Sequence, residues 1–186
     1  PDLSHVVFVY ANSKNILDRW ILTRLDELNN LTVENLDNYK LLEPVRAIRD
    51  FVGDLSTWYL RRSRERIKDG EIDAKQTLYF VLKNLIKIMA PFAPFTAEDI
   101  WRRLKSDSDI ESVHLVEWSE VSRGVLDMLG FGKSRKNVVK NMRVVREIVS
   151  LGLEARQKSK IPVKQALSKL RIKNYELGIE YTELIK

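Results

Sequence analysis

Eleven consecutive residues carry the densest chemistry in this chain: Trp58-Tyr59-Leu60-Arg61-Arg62-Ser63-Arg64-Glu65-Arg66-Ile67-Lys68. Five of the last eight are basic. On a helix advancing 100° per residue, Arg61, Arg64 and Lys68 point about 200°, 140° and 180° away from Tyr59. Arg62 and Arg66 fall at about 300° and 340°, on the extension of the apolar stripe that Tyr59 continues. Cations at a helix C-terminus offset its dipole, which accounts for about two of the five. An arginine at a core-facing angle requires a carboxylate partner or an anionic ligand to offset its burial. Three outward cations beside an aromatic are what a phosphate backbone and an unstacked base would require. Trp58, Arg61, Arg62, Arg64, Arg66 and Lys68 are therefore candidates for RNA contact.

Other chemistries lack their residues. There is no glycine-rich phosphate loop, no Gly-x-Ser-x-Gly elbow and no His-Glu-x-x-His pair. Cysteine is absent, which excludes disulfides, thiolate catalysis and cysteine-ligated zinc. The two histidines, His5 and His114, lie far apart, which argues against a histidine-rich metal site; His114 reads as a solvated loop residue. Asp107, Asp109 and Glu111 lack the glycine and spacing of a calcium loop and read as a solvated turn. No catalytic residue and no metal ligand is assigned, and the chain reads as a binding module.

Charge points to the same chemistry. Residues 133–173 carry thirteen Lys or Arg against Glu147 and Glu154, whereas residues 1–132 are mildly acidic. A concentrated basic third on an acidic body suits a polyanion, and nucleic acid is the economical choice. Lys136, Lys140 and Arg143 lie opposite the expected core positions of this segment and join the candidates. Two other readings remain open at this point: a solvated helix face, and a helical interaction module that docks on an acidic protein surface.

The elements that position these residues follow from apolar periodicity. Asn15 is a plausible N-cap for a helix whose stripe is Leu17, Ile21, Leu25 and Leu28 with Trp20, and Asp18 suits its first-turn dipole. A second helix spans about 42–68, with Val45, Ile48, Val52, Leu55 and Tyr59 inward and Phe51 and Trp58 on its flank. Asp69-Gly70 ends it. Asp73 caps a third helix with the stripe Leu78, Val81, Leu82, Leu85 and Met89. Thr96 and Asp99 form a capping-box-like start for a short helix holding Ile100, Trp101 and Leu104. Residues 106–132 are loop-rich, with 113–116 extended. Ser134 opens the basic helix, whose core is Val138, Met142, Val145 and Val149, and Pro162 disrupts it. Residues 167–172 alternate like a strand, and 181–186 read as a helix. The longest apolar run, 88–95, contains two prolines and falls short of the roughly 18 residues a membrane span needs.

Three blocks give the chain a family resemblance. Asn15-Ile16-Leu17-Asp18-Arg19-Trp20-Ile21-Leu22 and Asp54-Leu55-Ser56-Thr57-Trp58-Tyr59-Leu60-Arg61-Arg62-Ser63-Arg64 resemble the anticodon-binding helical domain of isoleucyl-tRNA synthetase. So does Met89-Ala90-Pro91-Phe92-Ala93-Pro94-Phe95-Thr96-Ala97-Glu98-Asp99-Ile100-Trp101, a block similar across the class I synthetases for isoleucine, valine, leucine and methionine. Ser112-Val113-His114-Leu115 with Trp118 narrows the resemblance to isoleucine and valine, and the Trp-Tyr-Leu-Arg-Arg-Ser-Arg block favours isoleucine. Residues 144–153, Arg156 and 161–167 resemble the junction that follows the bundle.

The resemblance implies an all-α anticodon-binding helical bundle of class I aminoacyl-tRNA synthetases, with a small incomplete α/β annex. The expected divisions are a residual upstream segment at 1–13, the bundle at 14–132, the basic helix and junction at 133–167, and the annex at 168–186. The implied partner is the anticodon stem-loop of isoleucine tRNA, gripped by a fragment of an ATP-dependent isoleucine–tRNA ligase. Valyl-tRNA synthetase is the alternative. The His-Ile-Gly-His and Lys-Met-Ser-Lys-Ser signatures are absent, so the catalytic domain is expected in the same polypeptide but outside these residues, and this chain alone is expected to be inactive. No cofactor is expected here; ATP and magnesium would serve the full-length enzyme. A monomeric, cytoplasmic protein without membrane contact is the remaining expectation.

Overall fold

The computed structural model describes residues 15–118, 132–167, 170–173 and 177–185. The chain divides into two compact units, Pro1–Gly132 and Lys133–Lys186. The expectation for residues 1–13 lies outside the described residues.

In the first unit, α1 (Ile16–Asp37) starts where its cap predicts: Asn15 is extended and its side chain accepts a hydrogen bond from the Leu17 N–H at 2.9 Å. Leu17, Trp20, Ile21, Leu25 and Leu28 are all buried along the expected stripe.

The second helix runs over the predicted span but is not uniform. It comprises α2 (Leu42–Gly53), a π-helical segment (Asp54–Leu60) and α3 (Arg61–Lys68). Its buried positions are Pro44, Ile48, Phe51, Asp54, Leu55, Tyr59 and Ser63, and Asp54 is paired with Arg24 of α1. Among them Phe51, Leu55, Tyr59 and Ser63 recur at steps of four residues. Each such step overshoots an α-helical turn by about 40°, so three would swing the stripe by about 120°. The wider π turn absorbs that drift and keeps the four residues on one side. Ser56 and Thr57 hydroxyls donate to the Val52 and Gly53 carbonyls at 2.8 and 2.7 Å, back-bonding that competes with the regular ladder. Val45 and Val52, expected inward, are exposed, while Phe51, expected on the flank, is core. A fixed 100° step misplaced them.

α4 (Ile72–Met89) packs against α1, α3 and α5 (Pro94–Leu104). Three neighbours bury more than one stripe, so Ala74, Thr77, Phe80 and Ile88 are inside, while Leu78, Leu82 and Met89 are only half-buried. Asp73 does not cap α4; Glu71 holds the N-cap position and its side chain makes no cap hydrogen bond. The capping box at Thr96 and Asp99 does not form either. Pro94 already occupies the first turn of α5, where its missing N–H costs nothing, and Asp99 pairs with Arg103 instead.

Trp101 is buried with Ile86, Ala90, Ala97 and Val113, and its Nε1–H donates to the Ile110 carbonyl at 3.0 Å. Residues 113–115 form a 3-10 turn, Val113–Leu115, rather than an extended stretch. The Glu98 carboxylate draws that turn onto α5 by accepting from Ser112 Oγ at 2.8 Å and the Val113 N–H at 3.1 Å. Asp109 is half-buried rather than free in solvent: Lys83 Nζ donates to it at 2.6 Å and holds its carboxyl well below the usual carboxylate range. Asp107, Glu111 and His114 are exposed.

In the second unit, α6 (Gly132–Lys158) begins before Ser134 and buries Val138, Met142, Val145 and Ile148, with Val149 half-buried. Past its end, Arg156 Nη1 donates to the Pro162 and Gln165 carbonyls at 3.0 and 2.9 Å, folding the junction back on the helix. The expected strand at 167–172 and the α/β annex at 168–186 fall partly outside the described residues. The described residues there form no strand, because Leu167, Leu170 and Ile172 are exposed with no neighbouring strand to satisfy their backbone groups. Residues 168 and 169 lie outside the description. A short helix, α7 (Ile179–Thr182), continues into a 3-10 turn at Glu183–Ile185. Among the described residues the fold is all-α. No helix among them is long and apolar enough to cross a membrane.

Three helices end in the same left-handed turn. Lys40, Glu71 and Ile161 donate N–H bonds to the Asn35, Arg66 and Arg156 carbonyls at 2.8, 3.0 and 2.9 Å. The left-handed position is Gly70 after α3, with φ 88°, but Tyr39 after α1 and Lys160 after α6, with φ 56° and 55°. A side chain there is strained by about 1–2 kcal/mol. Tyr39 is 94% exposed, so contacts within the chain do not offset that cost.

Candidate nucleic-acid interface

The basic end of the second helix is seated by a buried polar network. Asp18, fully buried at 0% exposure in the first turn of α1, accepts from Tyr59 Oη at 2.9 Å, Arg66 Nη1 at 3.1 Å and Arg66 Nη2 at 2.8 Å. Arg66 turns its other edge to Glu71, with Nε and Nη2 at 2.8 and 2.6 Å from the two carboxylate oxygens. One guanidinium thus joins the start of α1, the π segment and the entry to α4. Burial pulls the Arg66 pKa down, but the hydrogen bonds to Glu71 and Asp18 outweigh it and the net shift is upward. Burial and the adjacent Asp18 charge raise Tyr59, so its hydroxyl stays a donor. The sequence posed the choice for Arg66 between a carboxylate and an anionic ligand, and the structure supplies two carboxylates.

Asp18 stands in the first turn of α1, as the sequence suggests, but it is also completely buried. It is flanked on α1 by Leu17, Ile21 and Leu22, all buried, and that setting already demanded a cation.

Arg62 takes a different course. Its guanidinium lies 4.9 Å from the centroid of the Trp58 ring, one turn earlier on the helix, and it has no ion pair. Burial, then the Arg61 charge, lowers its pKa. Arg61, Arg64 and Lys68 are exposed, as the helical angles predict, and make no ion pair among the described residues. Three other surface arginines of the first unit behave otherwise: Arg49 pairs with Asp50, Arg102 with Glu98 and Arg103 with Asp99. The helix end therefore presents three unneutralised cations beside an aromatic–guanidinium stack, with Arg66 withdrawn beneath them.

On the second unit, Lys136, Lys140 and Arg143 share an exposed face of α6, opposite Val138, Met142 and Val145, and make no ion pair among the described residues. Arg46, exposed on α2, is one more unpaired cation, which the sequence reading passed over because it stands apart from any basic run. Among the described residues, no group of three His, Cys, Asp or Glu could hold a metal ion.

Residues 18–171 match the family model described as the anticodon-binding domain of tRNA ligase. Relatives carrying the name isoleucine–tRNA ligase include one from Clostridium novyi, 39% identical over 182 residues, or 94% of this chain and 17% of that protein. Another, from Chlamydia muridarum, is 42% identical over 84% of this chain and 15% of its own length, and one from Dehalococcoides mccartyi is 38% identical over the same shares. The chain thus spans 15–17% of the length of these relatives. A helical bundle whose unpaired cations flank an arginine–tryptophan stack, matched over most of its length by that family model, belongs to the anticodon-binding domain family of tRNA ligases.

Proposed function

We propose that this domain grips the anticodon stem-loop of isoleucine tRNA as one part of an isoleucine–tRNA ligase, orienting the acceptor end toward a catalytic domain elsewhere in the polypeptide. The observation that carries the reading is the clustering of cations without an ion pair among the described residues: Arg61, Arg64 and Lys68 crowd one helix end beside the Trp58–Arg62 stack, whereas Arg49, Arg102 and Arg103 are held by carboxylates. In the proposed complex these three hold backbone phosphates, because an exposed cation without an internal partner releases counterions at no cost in broken pairs. Trp58 with Arg62 forms a platform on which an unstacked base rests, since every base offers a π-face and a guanidinium stacks equally well. Lys136, Lys140 and Arg143 give the second unit its own phosphate-binding face.

The reaction of the whole ligase is ATP-dependent attachment of isoleucine to its tRNA, in the cytoplasm and as a monomer. ATP and magnesium are assigned to the remainder of the polypeptide, since these 186 residues contain no phosphate-binding loop. The domain contributes recognition and orientation and no bond-making step.

The test is a binding comparison between isoleucine tRNA and transcripts with substituted anticodon loops, with an acidic polypeptide of matched charge as control. Tighter binding of the cognate loop is expected. Equal affinity for all three ligands would reduce the basic surface to a general polyanion site and remove the reading.

A further inference from the structure

Arg66 is bound on two edges of unequal character. Its inner edge meets Asp18, which is completely buried, whereas its outer edge meets Glu71, whose side chain is 43% exposed. The outer pair is bidentate, Nε and Nη2 on two oxygens, the fork geometry by which arginine also takes a phosphate. No other hydrogen bond ties the Glu71 carboxylate: it stands at the N-cap position of α4 without capping the helix. Trp58, Arg62 and Arg66 follow one another at intervals of four, a rise of about 6 Å each along the helix. The outer edge of Arg66 thus lies one turn beyond the Trp58–Arg62 stack along the same helix.

We propose that the Nε–Nη2 edge of Arg66 is a phosphate site for the RNA backbone, occupied in the free protein by the Glu71 carboxylate. Binding exchanges one anion for the other. Asp18 keeps the guanidinium in place throughout, so the site is preformed and only the Glu71 side chain swings into solvent. Glu71 then sets a threshold: a lone phosphate gains little by displacing it, whereas a strand already held by Arg61, Arg64 and the stack does so readily. The inference rests on the RNA-binding reading above.

The experiment compares Glu71→Gln with Glu65→Gln in equilibrium binding of isoleucine tRNA to the full 186-residue chain, both alone and with Arg66→Lys. Glu65 is an exposed acid on α3, the helix of Arg66, with no ion pair among the described residues, so it reports the general effect of removing a negative charge. Releasing an exposed pair should tighten binding about two- to five-fold in Glu71→Gln, with a smaller gain in Glu65→Gln. Arg66→Lys keeps a cation for Asp18 but loses the fork, and should abolish the Glu71→Gln gain. Equal gains in the two glutamine variants, no gain in Glu71→Gln, or a gain that persists beside Lys would overturn the exchange. If Arg66→Lys unfolds, the two glutamine variants decide alone. No tRNA binding by the parent chain overturns the proposed function and this site together; parent binding without the selective gain overturns this site only.

Discussion

Asp18→Asn separates the two edges of Arg66 by stability alone. The substitution keeps size and one acceptor oxygen but aims an amide N–H at donors from Tyr59 and Arg66. Removing one partner of a buried pair costs about 3–5 kcal/mol. The Arg66 side chain is 18% exposed and retains Glu71, which places the expected loss at the lower end, about 3 kcal/mol. For a domain of this size that lowers Tm by about 6–12 °C. All four tryptophans, Trp20, Trp58, Trp101 and Trp118, precede residue 133, so tryptophan fluorescence follows the first unit without interference from the second. Glu71→Gln, which breaks only the exposed pair, should cost less than about 1 kcal/mol in the same assay. A Tm for Asp18→Asn within about 2 °C of the parent, or equal losses in both variants, would refute the ranking of the inner edge above the outer.

Trp101→Ala should cost about 3–5 kcal/mol, since the indole fills the cluster of Ile86, Ala97 and Val113; parent-like urea unfolding would mean the side chain is not packing there. Asp109→Asn should cost about 1–3 kcal/mol at neutral pH. Lys83 depresses the folded-state pKa of Asp109, so the stabilisation is present above the unfolded value of about 3.9 and is lost as pH falls toward the folded one. The gap between parent and variant should therefore hold from pH 7 to 5 and narrow toward pH 3; a gap that widens on acidification contradicts the ion pair. Tyr39→Gly should raise stability by about 0.5–1 kcal/mol, because glycine relieves the left-handed strain and the exposed ring loses nothing. A destabilised Tyr39→Gly in fluorescence-monitored urea unfolding would mean the ring has a partner within the chain.

Periodicity found the helices, because an amphipathic stripe is a local property that survives without knowledge of its neighbours. Leu17, Trp20, Ile21, Leu25 and Leu28 were legible for that reason, as was the exposure of Arg61, Arg64 and Lys68. Val45, Val52 and Phe51 were misplaced because the π segment changes the angle per residue, and four-residue steps from Phe51 to Ser63 were its only trace. The caps at Asp73 and Thr96 failed where a rival settled the start of the helix, Glu71 in one case and Pro94 in the other. Alternation at 167–172 suggested a strand, but a strand is a relation between two segments and no described neighbour supplies the second. The pairing of Arg66 with Asp18 was invisible for the same reason. Asp18 lies forty-eight positions away, and only the fold brings them together.

The central claim is tested most directly by a salt titration of isoleucine tRNA binding, comparing the parent chain with an Arg61→Glu, Arg64→Glu double variant whose fluorescence melt matches the parent. Each phosphate contact contributes about −0.7 to −0.9 to the slope of log affinity on log salt. Losing two contacts should flatten that slope by about 1.4 to 1.8. An unchanged slope in the folded double variant would show that these cations are merely solvated, and would contradict the account of this helix end as an RNA-binding surface.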